Sequence, residues 1–506
     1  MPDTVRVFAG DPIGTIAPEI YGHFAEHLGR CIYGGCWVGD DDRVETTGGL
    51  RNDTLDLLKR LDPPVLRWPG GCFADDYHWR DGVGPAEARP TKRNLWWAQG
   101  RDDTFTEPNA FGTEEFLRLC RELETAPYLA GNVGTGTPDE LLDWVEYCNS
   151  ADDTALTRLR AAQGSDDPHD VRWWGVGNEN WGCGGRFDPD AYARRYRTFA
   201  EYLRAFDRNI QPAGDLELVA CGHITPEWNR EFLGAVEEYG HLDHLSIHRY
   251  IDCGGDTAFT DDQYFRLLAK SRLIGADVDR TAAALETYAP DTDTDTDTDI
   301  GVIVDEWGVW HPEATADNGL EQENTVRDAL VAAQVLDDLN RRADVVTMAN
   351  LAQTVNVLQC VVQTDETAAW PTPTYRVFAA YKPHMGATAL RTTVETESVA
   401  VSAEDFDVPF VSASASAPPS RDAVTVTLSN RSLDAERVVE IDPPFDAPPA
   451  TTAASVLFAD VAVDAYSTRE NADRFSPADL AISEGADGTV SVTLPPSSIA
   501  AVQLSS

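Results

Sequence analysis

The chain reads as an α/β protein, a (β/α)8 TIM barrel followed by a C-terminal antiparallel β-sandwich of jelly-roll type. Three observations predict this. Eight short apolar runs recur up to about position 353, helical patterns separate them, and after about position 384 the texture turns to Val, Thr, Ser and Pro. Strands alternating with helices of this length pair in parallel through crossovers, and eight such units close a barrel.

The runs cover 20–27, 65–71, 128–134, 171–179, 218–223, 244–250, 302–307 and 345–353. Each ends in polar or glycine-rich sequence, so each strand delivers polar groups to one barrel mouth. Between them, 53–61 and 113–123 are amphipathic, the second with an acidic first turn at Glu114 and Glu115. Segment 138–148 opens on a first-turn proline. Segments 190–206, 227–239, 261–288 and 324–342 supply the remaining helical patterns. A doubly wound open sheet competes, but no GxGxxG follows the first strand. Beyond 387, alternating runs such as 423–428 and 489–494 predict strands of a sandwich. Run 4–9 alternates as well, and its pairing into the sandwich gives a discontinuous small domain: 17–384 for the barrel, 385–506 joined by 1–16 for the sandwich. The DTDTDTDTD repeat at 291–299 lacks the glycine turn and glutamate of an EF-hand loop and reads as a solvated, disordered insertion.

At 506 residues there is room for both domains. The formal charge is −45, from 85 acidic against 40 Lys and Arg residues, and only Lys59, Lys92, Lys270 and Lys382 are lysines. Such a surface fits very high salt, where repulsion is screened within a few ångströms. The same charge disfavours nucleic acid and anionic membranes as partners. No stretch has the apolar length of a membrane span, and MPDTVRVFAG lacks the pattern of a secretory signal. The nine cysteines, an odd number, all lie between Cys31 and Cys360. Mostly reduced thiols in a cytoplasmic protein are the expectation.

The chemistry concentrates in two glutamates. Glu179 lies in WWGVGNENWG and Glu306 in IVDEWG, each at the downstream end of an apolar run, on what count as the fourth and seventh strands. Two carboxylates at one barrel mouth point to acid/base-assisted bond cleavage, and glycoside hydrolysis is the reaction that most plainly needs the pair. One carboxyl must stay protonated until it meets the leaving oxygen; the other must be ionised and partly dry. Taken singly, each glutamate could equally form a solvated turn or pair with a rim arginine. His23, His27, Cys31 and Cys36 fall within a short stretch, but their spacing matches no common zinc pattern. No metal and no organic cofactor is expected.

The chain resembles glycoside hydrolase family 51 α-L-arabinofuranosidases from about 16 to 384. The resemblance rests on IYGHFAEHLGRCIYGG at 20–35, RWPGGCFADDYHWRDGVGP at 67–85, GVGNENWGCGG at 175–185, LSIHRY at 245–250, VDEWG at 304–308, ANLAQTVNVLQ at 349–359 and TPTYRVFAAYKPHMG at 372–386. It implies Glu179 as acid/base and Glu306 as nucleophile of a retaining, exo-acting enzyme. It further implies Glu26, Asn178 and Gln353 as sugar ligands, His248 and Tyr250 as groups that orient the carboxylates, and Trp97 as a pocket wall whose register is open because Trp96 adjoins it. Cys72 stands where many family members carry a sugar-binding asparagine; a thiol is a weak substitute, and the polar residues from Asp75 to His78 could replace that contact. Cys72 and Cys183 both fall in mouth loops and are expected close together. The implied partner is an arabinofuranosyl oligosaccharide, and the implied assembly a homo-oligomer, often a hexamer. An endo-β-glucanase, a β-xylosidase or a non-catalytic sugar-binding protein are the competing readings.

Overall fold

The computed structural model describes residues 2–98, 105–211, 216–236, 242–288, 300–401, 404–443, 445, 451–485 and 488–505. Eight parallel strands close a barrel: Gly22–Phe24, Val65–Trp68, Ala126–Gly131, Trp173–Val176, Glu217–Cys221, His244–Ile251, Gly301–Val309 and Val346–Ala352. Each apolar run overlaps one of them. The first, second and fourth strands are much shorter than their runs, the first and the fourth for visible local reasons. Pro18–Tyr21 forms a 3-10 turn ahead of the first strand. The fourth is broken by Gly177 at φ +94°, where a Cβ would lie 2.0 Å from Asn180 Oδ1. Val65, Tyr128, Trp173, Val219, Ile303 and Met348 fill a layer inside the barrel, so it is a packed core and not a pore.

The seventh strand carries the feature that matters most for the site. Against the sixth strand the register slips between Ile247 and His248: Ile247 opposes Val304, and His248 opposes Glu306. Asp305 is the extra residue of a bulge. Adjacent residues on a regular strand face opposite sides, but a bulge re-aims one of them. Asp305 and Glu306 can therefore both serve the barrel interior.

Helices Asn52–Leu61, Thr113–Leu123, Pro138–Asn149, Pro189–Asn209, Pro226–Val236, Asp261–Tyr288 and Val326–Asn340 occupy the helical segments of the sequence. The end expected for 227–239 and the 291–299 repeat lie outside the described residues. Among the described residues, two further α-helices were not visible as periodic patterns. Ala155–Ala162 starts at Thr154, whose hydroxyl accepts from Thr157 N. Pro373–Tyr381 is the eighth barrel helix, started by the Thr372 cap and first-turn Pro373, a signal present in TPTY but too short to show a period.

The C-terminal region forms one ten-stranded sheet whose halves close over a common core that includes Val5, Val426, Ile441, Val492 and Val502. Asp3–Thr15 belongs to this sheet. It pairs antiparallel with Thr388–Glu395 and parallel with Arg437–Asp442, so the sheet is mixed at this one place rather than antiparallel throughout. A strand arriving from the other end of the chain is not joined to its neighbours by a hairpin, so nothing local dictates its direction.

Helix Val326–Asn340 lies between barrel and sheet and is buried at every position. Its Asp337 accepts hydrogen bonds from Ser412 Oγ (2.8 Å), Ser414 Oγ (2.9 Å), Tyr381 OH (3.0 Å) and Thr427 Oγ1 (3.2 Å). Among the described residues, no helix is long and apolar enough to cross a membrane.

Candidate active site

The fourth and seventh strands bring Glu179 and Glu306 to the same mouth. Glu179 Oε1 lies 3.0 Å from His248 Nδ1, and the same nitrogen is 3.5 Å from Glu306 Oε2. One oxygen of each glutamate and the imidazole nitrogen all fall within 4.8 Å of one another. The tyrosine of the same sixth strand completes the frame: Tyr250 OH donates to Glu306 Oε2 at 2.8 Å. His248 and Tyr250 are two apart on one strand and so reach the same side.

Beneath Glu306 sits a buried arginine that the sequence reading passed over. Arg67 Nη1 donates to Glu306 Oε1 (2.8 Å), Nη2 donates to Asn178 Oδ1 (2.6 Å), and Nε lies 3.4 Å from Asp305 Oδ1. Asp305 also accepts from Tyr128 OH (2.9 Å) and Asn350 Nδ2 (3.1 Å). The available signal was the lone charge in the apolar run VLRW; a cation there must meet buried carboxylates. The rim arginine considered for these acids is thus a core residue, and it serves both of them.

The electrostatics follow from the cast. Burial alone would raise the Glu306 carboxyl, but the His248 imidazole and the Arg67 guanidinium outweigh it and hold Glu306 below the usual range. His248 answers in kind: burial works against its cation, yet Glu306 and Glu179 raise it above its ordinary value. Glu306 is therefore held ionised, the state required of an attacking carboxylate.

Glu26 follows the first strand and forms the opposite wall. It accepts from Phe73 N (3.2 Å), Trp97 Nε1 (3.0 Å) and Gln353 Nε2 (3.0 Å). Trp97, and not the more exposed Trp96, is thus the indole turned to the site. Burial and the charge of Glu306 push Glu26 up to about 8. Gly71 lies between the two walls: a Cβ there would stand 3.1 Å from Glu306 Oε1 and 3.2 Å from Glu26 Oε2. Asn178 Nδ2 and Gln353 Oε1 are buried and have no hydrogen-bond partner among the described residues, which leaves one donor and one acceptor for a polar ligand.

Cys72 is corrected. It has no thiol to offer: it is bonded to Cys183, with Cα atoms 5.5 Å apart. Cys183 Sγ in turn sits 3.5 Å from Glu179 Oε2. The other seven cysteines are free and buried. Of the replacement groups considered there, Asp75 and His78 already have partners within the protein. Asp75 spends its oxygens on backbone donors of the neighbouring loops, and His78 pairs with Glu140 at 2.8 Å. Burial pushes Asp75 up to about 7 against those donors. Cys72, Glu179 and Cys183 form a second close group, but its sulfurs are committed to each other. His23, taken above with His27, Cys31 and Cys36, packs on Phe378, and burial lowers it to about 3.

Glu179 itself adopts φ +42°. A left-handed glutamate costs about 1–3 kcal/mol and persists only where its surroundings over-determine it.

Two family models match the chain: an α-L-arabinofuranosidase 1 domain over 57–264 and an α-L-arabinofuranosidase C-terminal domain over 305–498. An intracellular exo-α-L-arabinofuranosidase of Bacteroides ovatus is 39% identical over 513 aligned positions, covering 99% of this chain and 95% of its own. The chain belongs to glycoside hydrolase family 51. The structure agrees with that membership. It superposes on the family 51 arabinofuranosidase of Xanthomonas axonopodis pv. citri with TM-score 0.91 at 33% identity, covering 99% of each chain. The α-L-arabinofuranosidase of Thermotoga maritima, in an arabinose complex, gives 0.86 at 31% identity over 100% of each chain. The likeness to these two spans the whole chain, and not the barrel alone.

Proposed function

We propose that the protein is a retaining, exo-acting α-L-arabinofuranosidase that removes terminal non-reducing arabinofuranosyl groups from arabinoxylan- or arabinan-derived saccharides. The observation that carries this is the approach of Glu179 and Glu306, one oxygen of each within 4.8 Å. Retaining pairs stand about 5 Å apart, whereas inverting pairs need roughly 6.5–9.5 Å to admit a water. The name of the Bacteroides ovatus relative supports the substrate class and the exo mode.

In this reading Glu306 attacks the anomeric carbon from the face steadied by Arg67 and Tyr250, while Glu179 protonates the departing oxygen. Water then enters against the covalent glycosyl-enzyme, with Glu179 as base. The free donor of Asn178 meets the 2-hydroxyl. Glu26 and Gln353 bind further hydroxyls, Trp97 walls the pocket, and the Cys72–Cys183 bridge lies beside the acid. No step calls for a metal or cofactor.

The finer readings belong to the same proposal. The lysine-poor surface of charge −45 is a high-salt adaptation. The working division is a barrel over 17–384 and a sandwich over 385–506 with 1–16. The enzyme acts in the cytoplasm, in line with a relative named intracellular, and as a homo-oligomer, of which a hexamer is one form. The partner is a saccharide, and neither nucleic acid nor membrane.

The test is turnover of aryl α-L-arabinofuranosides in molar salt, with the first-formed product anomer read by NMR. Retention is expected. Azide should accelerate Glu179→Ala on an activated substrate with retention, and should give inverted azide with Glu306→Ala. An inverted sugar from the wild-type protein would end the double-displacement reading.

A further inference from the structure

Asp75 is buried in the short 3-10 helix Cys72–Asp76, directly after the glycine pair that follows the second barrel strand. Both of its oxygens are taken by donors of the protein. Oδ2 accepts from Asn178 N (2.8 Å) and Asn180 Nδ2 (3.2 Å), the residues on either side of Glu179. Oδ1 accepts from Val133 N and Gly134 N, each at 2.7 Å, in the loop after the third strand. One carboxylate thus ties two mouth loops together, and four donors occupy both of its oxygens.

Space around it is shaped for this. A Cβ on Gly184 would come within 2.3 Å of Asp75 Oδ2, and one on Gly134 within 2.9 Å of Asp75 Cβ. Between the two tied residues, Glu179 holds its left-handed backbone. That conformation has to be imposed from outside, because a glutamate does not select it. The ties to Asn178 and Asn180 clamp the turn on both sides of it. An amide at 75 keeps one acceptor oxygen and turns a donor toward a donor.

Resting on the arabinofuranosidase reading, we infer that Asp75 is a positioning residue that fixes the 177–180 turn so that Glu179 points its proton at the leaving oxygen. The consequence is selective. Protonation matters for a poor leaving group and hardly at all for one that departs as a stable anion.

The test compares kcat/KM for wild type and Asp75→Asn on phenyl and 3,4-dinitrophenyl α-L-arabinofuranosides. General acid catalysis is worth about 10²–10⁴-fold, so a loss of about 100-fold is expected on the phenyl substrate and less than about 3-fold on the dinitrophenyl one. Azide should raise turnover of the variant on the dinitrophenyl substrate and leave wild type unchanged, a response that mere loss of folded protein cannot produce. Asn180→Ala removes one clamp together with the bond from Asn180 Nδ2 to Gly184 O, keeps the three backbone donors of Asp75, and should show the same leaving-group selectivity at about 10-fold. This second variant decides the matter if Asp75→Asn does not fold. Equal losses on both substrates, or no response to azide, would overturn the positioning role. Wild-type protein inert on both substrates would overturn the arabinofuranosidase reading beneath it.

Discussion

The barrel mouth and the seam between barrel and sheet both bury carboxylates, but Glu306 at the mouth and Asp337 at the seam are shifted in opposite directions, while Glu26 beside Glu306 goes up as Asp337 does. At the seam, Asp337 receives four hydroxyl donors, and burial raises its pKa. At the mouth, Glu306 meets an imidazole and a guanidinium, and its pKa falls. Arg341 and Arg431 also act on Asp337, yet burial prevails there, whereas the His248 imidazole and the Arg67 guanidinium beside Glu306 outweigh its burial. The second contrast is in what is left over. Asp337 has its oxygens occupied, while at the mouth Asn178 Nδ2 and Gln353 Oε1 await a partner. One cluster is built to join two layers, the other to receive a ligand.

Paired substitutions test the contrast hardest. Glu306→Gln should lower kcat by on the order of 10⁴-fold or more, because the attacking oxygen is gone. Its melting temperature should stay close to wild type, since Asp305 still faces Arg67. Asp337→Ala should do the reverse, costing about 3 kcal/mol in denaturant unfolding by stranding four hydroxyls, with kcat unchanged. A stable Asp337→Ala protein, or a Glu306→Gln protein that unfolds, would erase the distinction.

Gly71→Ala probes the gap itself. A methyl group between Glu26 and Glu306 should raise KM about 10-fold while stability hardly moves, because it fills space meant for the sugar and not for the core. Unaltered KM would place the sugar elsewhere. The smallest effect is electrostatic. His248 is the leading cause that holds the Glu306 carboxyl down, so His248→Asn should let it rise. Glu306 must be ionised to attack, so the acidic limb of the kcat/KM profile should move to higher pH. A limb that stays put would remove His248 from the electrostatics of the nucleophile.

Much of the fold was legible because it is written in local patterns. Each barrel strand announced itself as an apolar run ending in polar groups, and most helices as a period. Ala155–Ala162 and Pro373–Tyr381 escaped because two turns are too short for a period to stand out from composition. The parallel pairing of Asp3–Thr15 with Arg437–Asp442 escaped because no local connection specifies it. Within the site, Glu26, Asn178, Trp97, His248, Tyr250 and Gln353 lie around the two glutamates, whereas Cys72 enters as half of a disulfide. Arg67 was missed and Asp75 was read as a sugar contact, although both stand inside quoted motifs, since their partners lie 111 and 103 residues distant.

The sequence alone determined which strand ends carry carboxylates, how many strands the barrel has, and the net charge of the chain, because each is a property of neighbouring residues or of the sum. Tertiary structure decided what those carboxylates are. The bulge at Asp305, the guanidinium of Arg67 and the glycine gap at 71 set which acid is ionised and how far apart the pair stands. Charge state and separation depend on groups brought together from distant parts of the chain, and only the closed barrel brings them there.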